Sequence, residues 1–222
     1  MLKIFATCLY HDLCVIFRSK AQWLHPVIFF VIFIALFGIG LSFSPLTLLN
    51  VSPAIIWIAF LITSLFTIES MFRNEQEEGH LAQLLLSPYP LWWLILAKSL
   101  ALWIASCLPL IVMMPLLGFI MQLSFSENMI LLLSVLIGSP ALTLMGVVGA
   151  ALTISLPRSG VFLGLLLLPL YIPILILGES TIILLLSGLW PMAQLALLGA
   201  ISILAITLAP HAAAFALRMA MD

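Results

Sequence analysis

The sequence predicts an all-α polytopic membrane protein. Six transmembrane helices are joined by short connections, with an interfacial helix at the N-terminus and a short helix between the second and third spans. Three observations predict this. Of 222 residues, 65% are hydrophobic and 7% charged, whereas a soluble domain carries about 25% charged residues. The apolar residues fall in runs near the length of about 20 that a helix needs to cross a bilayer. The seven Lys and Arg residues gather in alternate connections. The whole chain, 1–222, reads as one transmembrane domain.

Residues 1–22 read as the interfacial helix. Leu2, Phe5, Leu9, Leu13 and Ile16 fall on one face, with Lys3, Thr7, Tyr10, His11 and Arg18 roughly opposite, the pattern of a helix lying in the membrane plane. The first span is expected over 24–41, after Trp23 and His25 at the interface. Ser42 to Pro53 reads as an uncharged exit loop, and 54–71 as the second span. A polar stretch follows: Glu69, Arg73, Glu75, Glu77 and Glu78 interrupt the apolar sequence. After Gly79, Leu81, Leu84 and Leu85 recur at helical spacing, which predicts a short amphipathic helix. Pro88 and Pro90 stop it. Its apolar edge needs cover, either lipid headgroups or a groove on a partner protein.

The third span is expected over 91–121 and contains Pro109 and Pro115. Ser124 to Asn128 reads as a turn. The fourth span, 129–156, carries Gly146, Gly149, Ala150 and Ala151, small residues that allow close helix packing and place it centrally. Pro157 to Gly160 reads as a tight turn and 161–177 as the fifth span, ended by Glu179 and Ser180. Residues 181–189 are too short to cross alone and read as a re-entrant or interfacial element. The sixth span is expected over 192–209, closed by Pro210.

With six spans, Lys3, Arg18, Lys20, Arg73, Arg158 and Arg218 fall on one side. Lys98 lies about two turns into the third span, within reach of that side by snorkelling. The opposite connections hold Glu127 and Glu179. The positive-inside rule then makes the basic side cytoplasmic, with both termini inside. Lys3, Asp12, Arg18 and Lys20 leave no uninterrupted apolar run for a cleavable signal peptide.

Glu69 and Arg73 are spaced to pair along one helix face, and Lys98 at a similar depth on the next span is expected to join them, as an ion cluster anchoring two helices. No acidic or basic side chain lies near the middle of a span, where an ion-coupled carrier usually needs one. The phosphate-binding pattern GxxxxGK[ST] is absent, as are HExxH and a nucleophile elbow. Cys8, Cys14 and Cys107 lack metal spacing, and the net charge of −1 makes no case for nucleic acid. No catalytic residue, metal or cofactor is expected on this chain.

Six spans, an amphipathic N-terminal helix and a helix between spans two and three resemble the membrane subunit of an ABC-2-type ATP-binding-cassette exporter. Glu78, Gly79, Leu81, Leu84 and Pro88 match that family's Glu-Gly-x-Leu-x-x-Leu-x-x-x-Pro coupling-helix pattern; Ala82 stands where an acidic residue is common. The resemblance narrows to the haem exporter protein B (CcmB) family of cytochrome c maturation. It is carried in order by Pro53–Trp57, Glu69 with Phe72 and Arg73, Gly79 with Leu81, Pro88 and Pro90, Leu96–Lys98, Leu108–Leu110, Gly138–Pro140, Ala151–Thr153, Arg158–Gly160, and Leu168–Leu170 with Pro173. The resemblance implies an inner-membrane permease half that forms a homodimer in the lipid bilayer. It implies a cytosolic ATPase subunit that binds ATP and docks on Glu78, Gly79, Leu81, Leu84, Leu85 and Pro88, within a loop spanning 73–90. It also implies haem-handling membrane partners, with haem as transported or partner-bound ligand. Two further function classes compete: an ABC-2 permease for a lipid, glycan or drug, and a membrane scaffold without transport.

Overall fold

The computed structural model describes residues 2–18, 20–41, 45–77, 87–153 and 159–221. Among them are seven helices: α1 (Leu2–Arg18), α2 (Lys20–Gly40), α3 (Pro45–Glu77), α4 (Leu91–Ile120), α5 (Phe125–Thr153), α6 (Ser159–Leu186) and α7 (Met192–Met221). Five helical stretches are long and apolar enough to cross a membrane: Leu48–Ser70, Leu91–Ile120, Phe125–Thr153, Phe162–Leu186 and Met192–Met219. Leu24–Gly40 in α2 is a shorter apolar helix.

The packing places α3 and α5 inside. α5 contacts α3, α4, α6 and α7, and α3 contacts α2, α4, α5 and α6. The small residues of α5 are what let its neighbours close in. A Cβ on Gly146 would meet Ile68 at 2.6 Å and the Tyr171 hydroxyl at 2.9 Å. Trp57, Phe60 and Ile56 of α3 are fully buried, with Phe30 and Ile34 of α2 and Tyr171 of α6. Lipid tails are as apolar as leucine, so close packing and interhelical hydrogen bonds hold these spans together.

Four expected boundaries are corrected. Residues 45–53 are helical, not loop: α3 opens on Pro45, where a missing amide is harmless. Ser52 Oγ lies between the carbonyls of Leu48 and Met121, 3.2 Å from the latter. α5 opens at Phe125 because Ser124 and Glu127 form a capping box: the Ser124 amide donates to Glu127 Oε2 (2.8 Å), and the Glu127 amide to Ser124 Oγ (3.4 Å). α6 runs through Glu179 and Ser180 to Leu186, so 181–186 continue the span and form no re-entrant element. Gly188, at φ +79°, ends it. The Gly188 amide donates to Leu185 O and that of Leu189 to Leu184 O, a Schellman cap. α7 continues past Pro210 to Met221, since neighbouring helices and side chains tolerate proline kinks within a span. Of the expected 157–160 turn, Pro157 and Arg158 lie outside the described residues, and Ser159 and Gly160 open α6.

α2 packs on α3 and α4 and meets α1, which itself packs on α4. Near its C-terminal end, a Cβ on Gly38 would lie 3.6 Å from Met121 Cε, just past the end of α4.

Candidate functional site

The apolar face read in α1 is real, and its cover is the protein itself. Phe5, Leu9 and Leu13 are half-buried and Ile16 buried, while Lys3, Thr7, Tyr10, His11 and Arg18 are exposed. The face lies chiefly on α4. The Phe5 ring sits 5.2 Å from that of Trp93, centroid to centroid, tilted by 50°.

One charged residue shares that face. Asp12 lies seven residues after Phe5, three after Leu9 and four before Ile16, so all four project to the same side. Its Oδ2 is 3.8 Å from Lys98 Nζ, with the Lys98 side chain 6% exposed and that of Asp12 16%. Lys98 is itself set among buried Leu94, Ile95, Ala101 and Leu102. Lys98, within snorkelling reach of the basic side by its position in the sequence, faces α1. His11 Nδ1 stands 3.5 Å from the other carboxylate oxygen of Asp12.

The entry into α4 is held on a second side. Trp92 stacks on His211 of α7, centroids 5.0 Å apart and planes 13° from parallel. The His211 ring nitrogen is 3.0 Å from the Thr207 carbonyl. Before the helix, Ser87 to Pro90 form a bend in which the Tyr89 amide donates to Ser87 Oγ at 3.5 Å, and the Trp93 amide donates to Pro90 O at 3.0 Å. Pro88 is exposed.

Two cavities flank α1. One, of about 450 Å³, is open and lined by Lys3, Thr7, Cys8, His11, Ser87, Tyr89 and Leu94. The other, of about 270 Å³, starts at Phe5 and runs between α4 and α5 to Trp103 and Pro140. Its polar groups are internally bonded: Trp103 Nε1 donates to Ser139 Oγ (2.9 Å) and Thr143 Oγ1 to Ser139 O (3.2 Å). Ser139 in turn reaches Leu136 O at 3.4 Å, the carbonyl that Pro140 deprives of its helical partner.

Of the expected site residues, Glu78, Gly79, Leu81, Leu84 and Leu85 lie outside the described residues, as does the Arg73 side chain. Glu69 is half-buried on α3 and forms no ion pair among the described residues. Lys98 instead faces Asp12, which sequence reasoning passed over. The available signal was a lone carboxylate in the middle of an apolar stripe. The Trp92–His211 stack had no such signal, since it depends on where α7 passes the start of α4 in space.

A bundle with five helices long and apolar enough to cross a bilayer defines a multi-pass membrane protein. The chain belongs to the CcmB protein family, whose sequence model matches residues 3–220. It is 41% identical to heme exporter protein B of Pseudomonas aeruginosa over 221 residues, covering 100% of this chain and 99% of that protein. It is 37% identical to heme exporter protein B of Haemophilus influenzae, covering 99% of each. With heme exporter protein B of Escherichia coli K12 the identity is 38%, covering 95% of this chain and 96% of that protein.

Proposed function

We propose that this chain is the permease subunit of an ATP-driven exporter that serves c-type cytochrome maturation, with haem as cargo or as the ligand of membrane partners. The observation that carries this reading is family membership over nearly the whole chain, with relatives named heme exporter protein B at 41% and 37% identity.

A six-crossing topology of the ABC-2 type is supported by α2. Gly38, near its C-terminal end, approaches Met121 just past the end of α4, while α1, which leads into it, packs on α4 at Trp93 and Lys98. The basic residues favour a cytoplasmic location for both termini and for Ser87–Pro90, in an inner membrane. The chain carries no phosphate-binding loop of its own, so ATP is bound by a separate cytosolic subunit. That subunit docks on the 73–90 loop through Glu78, Gly79, Leu81, Leu84, Leu85 and Pro88, with Glu69 and Arg73 at its base. Homodimerisation fits the outer helices: 28% of the span in α6 and in α7 is enclosed, against 72% in α3. ATP hydrolysis moves the loop, α4 carries the motion into the bundle, and a haem-carrying partner is remodelled or released on the outer side.

Leu84→Asp tests this. A charge at an interface anchor buries an unpaired ion and costs more than the about 2 kcal/mol of truncating a hot-spot side chain. The variant should insert normally, lose the ATPase in a pull-down from detergent-solubilised membranes, and lose c-type cytochromes. Undiminished ATPase recovery would refute the coupling role. ATPase binding by the wild type without any requirement for this chain in cytochrome formation would favour a permease for another substrate. A wild type that binds no ATPase would favour a scaffold.

A further inference from the structure

We propose that Asp12 is a positioning residue of the exporter. Its ion pair with Lys98 fixes the register of α1 on α4, so that the N-terminal helix and the cytoplasmic part of α4 move as one body. The inference rests on the transmission reading above and adds to it a specific link, one that the expected Glu69–Arg73–Lys98 cluster did not contain.

Each partner is a charged residue on a largely apolar helix face, and the Cys8 thiol, one turn before Asp12, lies 3.9 Å from the same carboxylate oxygen. Asp12 stands among Phe5, Leu9 and Ile16, and Lys98 among Leu94, Ile95, Ala101 and Leu102. Apolar contacts alone would let α1 slide or rotate on α4 with little penalty, because one leucine-rich surface resembles another. A charge pair removes that freedom. Displacing α1 by one residue turns Asp12 about 100° away from Lys98 and leaves a carboxylate against apolar side chains. Such pairs contribute little net stability but specify register.

The position of the pair bears on function. Lys98 lies two helical turns from Leu91, where the chain enters α4 from the Ser87–Pro90 bend. α1 forms one wall of the open cavity whose other wall includes Ser87 and Tyr89. A displacement delivered at that bend therefore meets α1 and α4 together. With the pair intact the two helices respond jointly; without it, α1 is left resting on the bilayer surface as α4 moves.

The test uses the full chain with its partner subunits, in cells lacking their own relative of this protein. Cys8, Cys14 and Cys107 are replaced by Ser, and Thr7→Cys and Leu94→Cys are introduced together; both positions line the open cavity. A short bifunctional maleimide then reports α1 docking, and c-type cytochrome content reports function. Asp12→Asn should lower the cross-link yield and the cytochrome content by about fivefold each, within the range of coupling between residues in contact, at unchanged membrane levels. Asp12→Glu should restore most of both. So should the exchange Asp12→Lys with Lys98→Asp, which a purely packing role would not rescue. An unchanged cross-link with Asp12→Asn overturns the link, and so does a failed exchange. A lost cross-link with full cytochrome content overturns the functional part alone. A wild-type chain that does not support cytochrome formation overturns the export reading and that functional part, while the cross-link still decides whether the pair sets the register.

Discussion

Trp57 of α3 is packed edge-on against the backbone of Gly178 in α6: a Cβ added at Gly178 would lie 2.1 Å from Trp57 Cε2 and 2.2 Å from Cζ2. The indole is fully buried, and its Nε1 has no hydrogen-bond partner among the described residues. Gly138 of α5 meets the same ring, at 2.9 Å from its built Cβ. The contact joins three helices through one side chain. Gly178→Ala should therefore force α6 away from α3 and cost about 1–3 kcal/mol, the usual range for overpacking. Adding Trp57→Phe should recover part of that loss, because it removes ring volume without breaking a hydrogen bond. Thermal unfolding in detergent, followed by size-exclusion chromatography, reads both. Equal stability of Gly178→Ala and wild type would contradict the close approach.

A second expectation concerns Ser139. Its hydroxyl accepts from Trp103 Nε1 and approaches the Leu136 carbonyl left free by Pro140. Ser139→Ala strands both groups within the bundle. Hydrogen bonds between membrane helices contribute about 0.6 kcal/mol on average and up to about 1.7. A loss of about 1 kcal/mol is expected, visible as a lower unfolding temperature. Trp103→Phe in the same background should add little, since the shared bond is already gone; additive losses would show that the two side chains are not coupled.

Where local chemistry sets a boundary, the boundary was legible. Leu91 follows a proline, and the expected start of the third span coincides with that of α4. The amphipathic face of α1 was legible for the same reason, since a 3.6-residue period needs no knowledge of the partner. Polar and proline residues are poor stop signals in this bundle. Glu179 and Pro210 both sit inside helices here, and the true end of α6 lies at Gly188, where the left-handed backbone permits the cap. The site was harder. Lys98 stands out in the sequence as a charge within a span, but its spacing points only to partners on the adjacent span. Its observed counterpart, Asp12, is 86 positions away in the chain and close only because α1 folds back across the start of α4. No periodicity encodes that return.

The third expectation concerns the path of α2, on which the six-crossing topology depends. The apolar part of α2, Leu24–Gly40, is the shortest of the candidate segments, and length alone would allow it to lie within one leaflet. The contacts argue otherwise. α1 touches α4 at Trp93 and Lys98, near the start of that helix. Gly38 approaches Met121, just past its end, and Ser52 of α3 bonds to the Met121 carbonyl. These contacts put α1 and the beginning of α3 near opposite ends of α4, and the proposed six-crossing topology has α2 join them across the membrane. Single cysteines placed in a background lacking Cys8, Cys14 and Cys107 test this with a membrane-impermeant maleimide added to intact cells from which the outer membrane has been permeabilised. Asn50, Ser126 and Ser187 are at the end of the bundle away from α1, and cysteines there should label. Ala6, exposed on α1, should label only after the inner membrane is opened. If α2 does not cross, Ala6 and Asn50 will behave alike. Labelling of both from outside, or of neither, would exclude the six-crossing topology and with it the joint placement of α1 and the Ser87–Pro90 bend on the cytoplasmic side.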